Sequence, residues 1–395
     1  MSTKNISRTV WILSLVSMFN DISSDMLYPI MPVYLKSIGF SIVIIGVLEG
    51  FAEAAAGISK GYFGKISDSR GRRLPFVQWG YFISGVSKPL LAFFTSTVMV
   101  FFSRTLDKLG KGVRTGARDA LLSDEATPQT KGTVFGFHRG FDTLGATIGP
   151  ILALVFLHFY PGNYKSLFII AFFPVMVSVC MLFLVKEKKR TVTTEKTPVN
   201  FFHSFLYLKT ASKNYKQLLY GLLFFALFNS SDIFLLLMIK QHGFTDIQMI
   251  TIYVFYNFIY AAFSFPLGKL SDKIGFKKTM IFGMVLFSAV YGCMAITSDL
   301  KIIYFLFFLY GIYMAATDGI SKAWISNLCK KEHTAAALGT YSGFNSLVSL
   351  LASSLAGILW YSINPSAPFL ITSVAAIGVI IYFAVSKIPE VNVEY

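Results

Sequence analysis

Gly64-Lys65-Ile66-Ser67-Asp68-Ser69-Arg70-Gly71-Arg72-Arg73 returns, loosened, as Gly268-Lys269-Leu270-Ser271-Asp272-Lys273-Ile274-Gly275-Phe276-Lys277, about 204 residues further on. Each copy is a short basic turn between two long apolar stretches. One half of the chain repeats the other, and a repeat of this kind suits a membrane bundle of paired halves and few soluble folds. Composition agrees. Of 395 residues, 54% are hydrophobic and only 14% charged, against roughly a quarter charged in a soluble domain.

Apolar windows of about 20 residues mark twelve spans, near 9–35, 42–63, 75–94, 97–122, 133–158, 166–186, 216–239, 246–267, 279–297, 301–326, 335–361 and 367–386. In hydrocarbon every backbone polar group must be satisfied within its own segment, so the spans are read as helices. The expected fold is all-α: twelve transmembrane helices in two six-helix bundles related by pseudo-twofold symmetry. The expected domains are an N-terminal bundle, 1–186, a cytoplasmic linker, 187–215, and a C-terminal bundle, 216–395. Within the linker, Phe201 to Leu208 is apolar enough to lie on the membrane surface.

The formal net charge of +15 could point to nucleic acid, so its placement matters. Lys and Arg crowd the turns after spans two, eight and ten and the segment Lys186 to Lys216, while the opposite turns hold little beyond Lys36, Lys165, Lys240 and Lys301. The positive-inside rule then places both termini in the cytoplasm and the chain in the inner membrane, with lipids rather than nucleic acid as its surroundings. Met1 to Arg8 could mimic the start of a signal peptide. Pro29 and Pro32, however, continue an apolar run too long for one, and the first span is expected to stay attached. Cys180, Cys293 and Cys329 lack CxxC spacing and are read as buried thiols, with no metal site expected.

Twelve spans in a six-plus-six repeat, with a Gly-x-x-x-Asp-x-x-Gly-Arg-Arg turn after span two, resemble the major facilitator superfamily of secondary transporters. Gly64, Asp68, Gly71, Arg72 and Arg73 fall where that family's loop motif expects them, and Gly268, Asp272, Gly275 and Lys277 echo them. The resemblance implies a carrier working by alternating access, monomeric because each chain supplies both bundles. The residues permit a matching physical reading. An Asp on a tight turn can face the N-terminus of a helix from the other half, and Arg72 can bridge to a carboxylate such as Asp119, latching one side shut. His138 and Arg139, beside Asp142, are further gate candidates, with Arg118 assigned to the same latch.

Aligning the halves shows where they diverge. Ser23-Ser24-Asp25 answers Ser230-Ser231-Asp232, whereas Glu49 and Glu53 face Tyr253 and Asn257, and Arg114 and Arg118 face Asp318 and Lys322. Charge has drained from the second copy. An ionisable group inside a membrane costs about 2.5 to 3.5 kcal/mol on insertion scales, so the retained charges need a partner or a task. Proton coupling calls for carboxyls, and Glu53, Asp25, Glu49 and Asp21 are the candidates; protons are the expected coupling ion and no cofactor is expected.

Span four carries Arg104, Lys108, Lys111, Thr115 and Arg118 on one helical side. Arg104 sits where the family's embedded arginine falls, and the run Gly110 to Leu121 resembles a bacterial subgroup of unspecified substrate. Two readings stay open: a wet, cationic stripe that attracts an anionic solute, or internal ion pairs with Glu49, Glu53, Asp107 and Asp142. The expected solute-binding set is Arg104, Lys111, Lys108, Lys88, Asp232, Tyr253, Tyr256, Asn257 and Asp318. Gly145-Ala146-Thr147-Ile148-Gly149-Pro150 resembles, incompletely, an element of the superfamily's antiporters. The leading expectation is therefore a proton-coupled exporter of a small anionic or zwitterionic organic compound. Uptake of an anionic nutrient or a metal-chelating organic acid is the alternative. A lipid-handling protein or intramembrane enzyme is a third, for which no HExxH or phosphate loop speaks.

Overall fold

The computed structural model describes residues 6–28, 30–40, 42–187 and 207–390, apart from the side chains at 32, 33, 36, 42, 43, 45–47, 49, 50, 54, 233, 246 and 247. The Glu49 side chain and most of the surface segment proposed at Phe201 to Leu208 lie outside the described residues.

Each apolar run is helical. The order is α1 (Arg8–Leu27), α2 (Met31–Ser37), α3 (Ile42–Ser69), α4 (Leu74–Phe93), α5 (Thr97–Asp124), α6 (Lys131–Phe159), α7 (Tyr164–Leu182), α8 (Tyr207–Thr210), α9 (Lys213–Phe228), α10 (Ile233–Gln241), α11 (Asp246–Ile274), α12 (Phe276–Met294), α13 (Leu300–Asn327), α14 (Thr334–Ser362) and α15 (Ala367–Val385). These match the twelve expected spans, with spans one and seven each made of two pieces, α1/α2 and α9/α10. Among the described residues, seven helices are long and apolar enough to cross a membrane by length and composition alone: α6, α7 and α11 to α15. Helix α5, carrying Arg104, Asp107, Lys108, Lys111, Arg114, Arg118 and Asp119, is not among them.

Local chemistry sets the helix ends. The Ser7, Asn163 and Ser212 side chains accept from the first-turn amides of α1, α7 and α9. Thr245 and Gln248 close a capping box on α11. Gly71 and Gly275, at equivalent places in the two copies, have φ of 62° and 99°, a backbone region that strains other residues. The repeated motif is less of a turn than its sequence suggests. Gly64 to Ser69 and Gly268 to Ile274 are helical, because α3 and α11 run to 28 and 29 residues, about 42 Å, and outreach a hydrocarbon layer of about 30 Å.

Two compact units emerge, and their limits differ from the expected domain boundaries. The first comprises Met1–Glu125, Phe141–Thr210 and Lys330–Gly343, the second Ala126–Gly140, Ala211–Cys329 and Phe344–Tyr395. Each unit thus recruits the opening of a long helix, α14 or α6, from the other half of the sequence. Inside the first unit α5 packs between α3 and α4, and α7 packs on α1 and α4. The second repeats this pattern: α13 packs between α11 and α12, and α15 packs on α9 and α12. Their interiors differ. Phe225, Phe287, Tyr291, Tyr310 and Tyr313 stack edge to face or tilted in the second unit, whereas the first buries Lys88, Arg104, Arg114, Arg118, Asp119 and Asp142. Large apolar side chains such as Phe93, Val98, Phe183 and Val385 lie exposed, as lipid contact requires. Cys180 and Cys293 are also exposed, and only Cys329 is buried, which corrects the reading of all three as buried thiols. A span that faces lipid hides nothing from its apolar solvent.

Candidate functional site

The motif turn of the first unit is a carboxylate and guanidinium cluster. Asp68 accepts from the Ala336 amide in the first turn of α14 (2.8 Å) and from Arg73 Nε and Nη2 (3.2 and 2.7 Å). Arg73, fully buried, also donates to Asp124 (2.6 Å) and to the Lys331 carbonyl (3.0 Å). An anion at a helix N-terminus meets unpaired amides and the positive end of the helix dipole, so Asp68 both caps α14 and orders Arg73. In the second unit Asp272 accepts from the Gly132 and Thr133 amides at the start of α6, both at 2.7 Å. The copies place helices equally close. A Cβ on Gly64 would strike the Ala335 carbonyl, and one on Gly268 the Gly132 carbonyl.

The bridging cation is Arg73, not Arg72. Arg72 is exposed, while Arg73 directly precedes α4 and points inward, one position being enough to exchange water for the protein interior. Asp119 pairs with Arg118 at 2.9 Å instead of with the turn. A second carboxylate was not anticipated: Glu187 accepts from the Arg73 and Leu74 amides (2.7 and 3.0 Å), capping α4. Glu390 does the same for α12 through the Phe276 and Lys277 amides (2.8 and 3.1 Å). The available signal was positional, since each Glu follows the last span of its half.

The stripe on α5 resolves into separate arrangements. Lys108 meets Glu53 at 2.6 Å. Arg104 and Lys88 share Asp107, at 3.8 and 3.4 Å. Arg114 lies 4.4 Å over the Tyr81 ring and donates to Ser84 Oγ (2.7 Å). Arg118 donates twice to Asp119, once to Ser17 Oγ (3.1 Å), and stands 3.9 Å from Asp142. Lys111 is exposed and makes no ion pair among the described residues. Asp21 and Asp25 lie half-buried on α1, and Asp21 accepts from Asn20 Nδ2 (3.0 Å). Much of the stripe is therefore internally paired, while Lys111, with Glu53 and Asp21 as charged neighbours, closes no ion pair among the described residues.

In the second unit Asp232, at the break between α9 and α10, accepts from Tyr256 (2.6 Å) and Tyr310 (2.7 Å). Asn257 donates to the Tyr253 carbonyl (3.0 Å), and the Tyr253 and Tyr256 rings meet edge on. Arg139 reaches Asp318 (2.7 Å) and Tyr260, which itself donates to Asp318 (2.8 Å). Arg139 belongs with the residues of the second unit, and its neighbour His138 is buried. Tyr260 and Tyr310 were missed because a tyrosine in an apolar span reads as packing until its hydroxyl is seen on a carboxylate.

Long paired helices, lipid-compatible surfaces and buried ion networks define a multi-span membrane transporter. The sequence matches the Major Facilitator Superfamily over residues 13–255 and again over 218–394. It is 35% identical over 389 residues, 96% of both chains, to an uncharacterized MFS-type transporter of Methanocaldococcus jannaschii. The chain belongs to the Major Facilitator Superfamily, a family of transporters and not of enzymes. It is also 26% identical over 160 residues, 40% of this chain and 30% of the relative, to Citrate exporter 1 of Aspergillus niger. The crystal structure of the human organic anion transporter MFSD10 shares the fold, with a TM-score of 0.78 at 14% identity over 95% of this chain and 99% of that one.

Proposed function

We propose that this transporter exports a small organic anion, such as a carboxylate, in exchange for protons, from a monomer in the cytoplasmic membrane. Lys111 carries this reading: an exposed cation without an ion pair among the described residues, on a helix whose other cations are largely held by internal partners. An exposed lysine ammonium attracts an anionic guest. The similarity to a citrate exporter supports a carboxylate solute, and the small-residue element at Gly145 to Pro150 supports export. There Gly145 and Gly149 sit against the α1 backbone, where a Cβ would collide with Met18 and Ile22. The basic turns at Gly64 to Arg73 and Gly268 to Lys277 would face the cytoplasm, with both termini.

The test is flux in proteoliposomes loaded with radiolabelled citrate. A pH gradient should accelerate citrate movement in wild type and far less in Lys111→Ala. Citrate flux indifferent to the gradient, or flux of neutral solutes alone, would sink the proposal.

A further inference from the structure

Asp232, at the break between α9 and α10, has no cation to answer it among the described residues. Its carboxylate takes one hydrogen bond from Tyr256 (2.6 Å) and one from Tyr310 (2.7 Å), and both donors are neutral. An aspartate at a helix N-cap ordinarily accepts from the first-turn amides. Asp232 holds that position on α10 and makes no such bond, its carboxylate being turned to the two tyrosines instead. A carboxylate offers about four lone-pair positions, so two stay open. A charge within a membrane span that is met only by neutral hydroxyls calls for a counter-charge.

The neighbouring side chains are short of partners in the same place. Asn229, on the same break, commits Nδ2 to the Tyr313 hydroxyl (3.0 Å) and keeps a buried Oδ1 that accepts from no donor. Tyr291 is 1% exposed, its hydroxyl makes no hydrogen bond, and its ring centroid lies 6.4 Å from that of Tyr310. The Tyr310 ring in turn lies 5.3 Å from Tyr313 and 5.4 Å from Tyr256. These contacts join Asp232, Asn229 and the four tyrosines into one group that lies wholly within the second unit. Both orphaned atoms are oxygens. Oxygen ligands, one carboxylate and surrounding aromatic faces, whose quadrupoles are negative, attract a cation and repel an anion. Asp232 and Tyr256, expected from the sequence among the ligands of an anionic solute, are therefore set for the opposite charge.

We propose that this group binds a monovalent cation, either a sodium ion or the ammonium head of an organic solute. Asp232 supplies the charge, while Asn229 Oδ1 and the tyrosine hydroxyl oxygens replace the water that the cation leaves behind. One carboxylate balances one positive charge, whereas a divalent ion would leave an excess charge in a poorly solvating interior. The site does not depend on the citrate reading, since it uses neither Lys111 nor a proton.

The experiment measures binding and needs no transport. Purified full-length protein in lipid nanodiscs is equilibrated with radioactive sodium and, separately, with radiolabelled methylammonium. Saturable binding of sodium assigns the site to the metal ion, and saturable binding of methylammonium alone assigns it to an organic ammonium. Asp232→Asn should weaken the binding by more than about tenfold, and Asn229→Ala by about tenfold. Glu332→Gln, which removes an exposed carboxylate, should leave it unchanged. No saturable binding of either probe, or binding that Asp232→Asn leaves intact, overturns the proposal. Should Asp232→Asn fail to fold, an unaltered affinity in Asn229→Ala overturns it equally. A failed citrate flux assay would sink the export reading and leave this binding test standing.

Discussion

Arg73 is a buried guanidinium shared between two carboxylates and a backbone carbonyl, so its removal does more than delete a charge. Arg73→Ala strands Asp68, almost fully buried, and Asp124; breaking such a pair costs about 3 kcal/mol. Thermostability in detergent should fall clearly for Arg73→Ala, and also for Arg73→Lys, which cannot span both carboxylates in one plane. Arg72→Ala should be nearly silent, and equal losses at the two positions would refute the assignment. At Lys111 the expected effect is on binding: Lys111→Ala should raise the apparent KM for citrate about tenfold, roughly 1.4 kcal/mol, with Lys111→Arg close to wild type. Asp68 and Gly71 were legible in the sequence because the motif repeats. Glu187 was not, since the amides it caps lie 114 and 113 positions away and nothing local marks the contact.

Among the elements, the long helices obeyed their apolar patterning and the broken ones did not. Leu218 to Ile239 reads as one span, yet α9 stops at Phe228 and α10 starts at Ile233; at the break the Asn229 side chain donates to Tyr313, the Ser231 amide to Ser353, and the Asp232 carboxylate accepts from Tyr256. The contact of α11 with the opening of α6 is set by glycine. Gly268→Leu would force the Gly132 backbone away, an overpacking cost of about 1 to 3 kcal/mol charged only to the docked arrangement. A Thr133→Cys reporter should then react faster with a water-soluble maleimide in the Gly268→Leu background. Unchanged labelling would mean that α6 docks without that close approach. Removing the carboxylate cap in Glu390→Gln should cost less, about 1 kcal/mol, because an amide oxygen still accepts one of the two amides.

For the whole molecule, the duplicated pattern made the twelve spans and the family legible from sequence. The exchange of segments was not legible. Aligning Gly136 with Gly339 shows that they correspond, but says nothing of which half each packs against, and that depends on contacts between residues far apart in the chain. Because Ala126–Gly140 and Lys330–Gly343 each complete the other half's unit, fragments 1–187 and 207–395 expressed together should co-purify on a tag carried by either one. Recovery of the tagged fragment alone would argue that each half is self-sufficient. Synthesis order gives the exchange another effect. When Glu187 has been added to the chain, the Ala336 amide that Asp68 will meet is still about 150 residues from being made, a delay of roughly seven to thirty seconds at ordinary elongation rates. Through that interval the nascent first half waits with an acidic group and a guanidinium lacking part of their final company, so insertion machinery has a defined, transient client to shield.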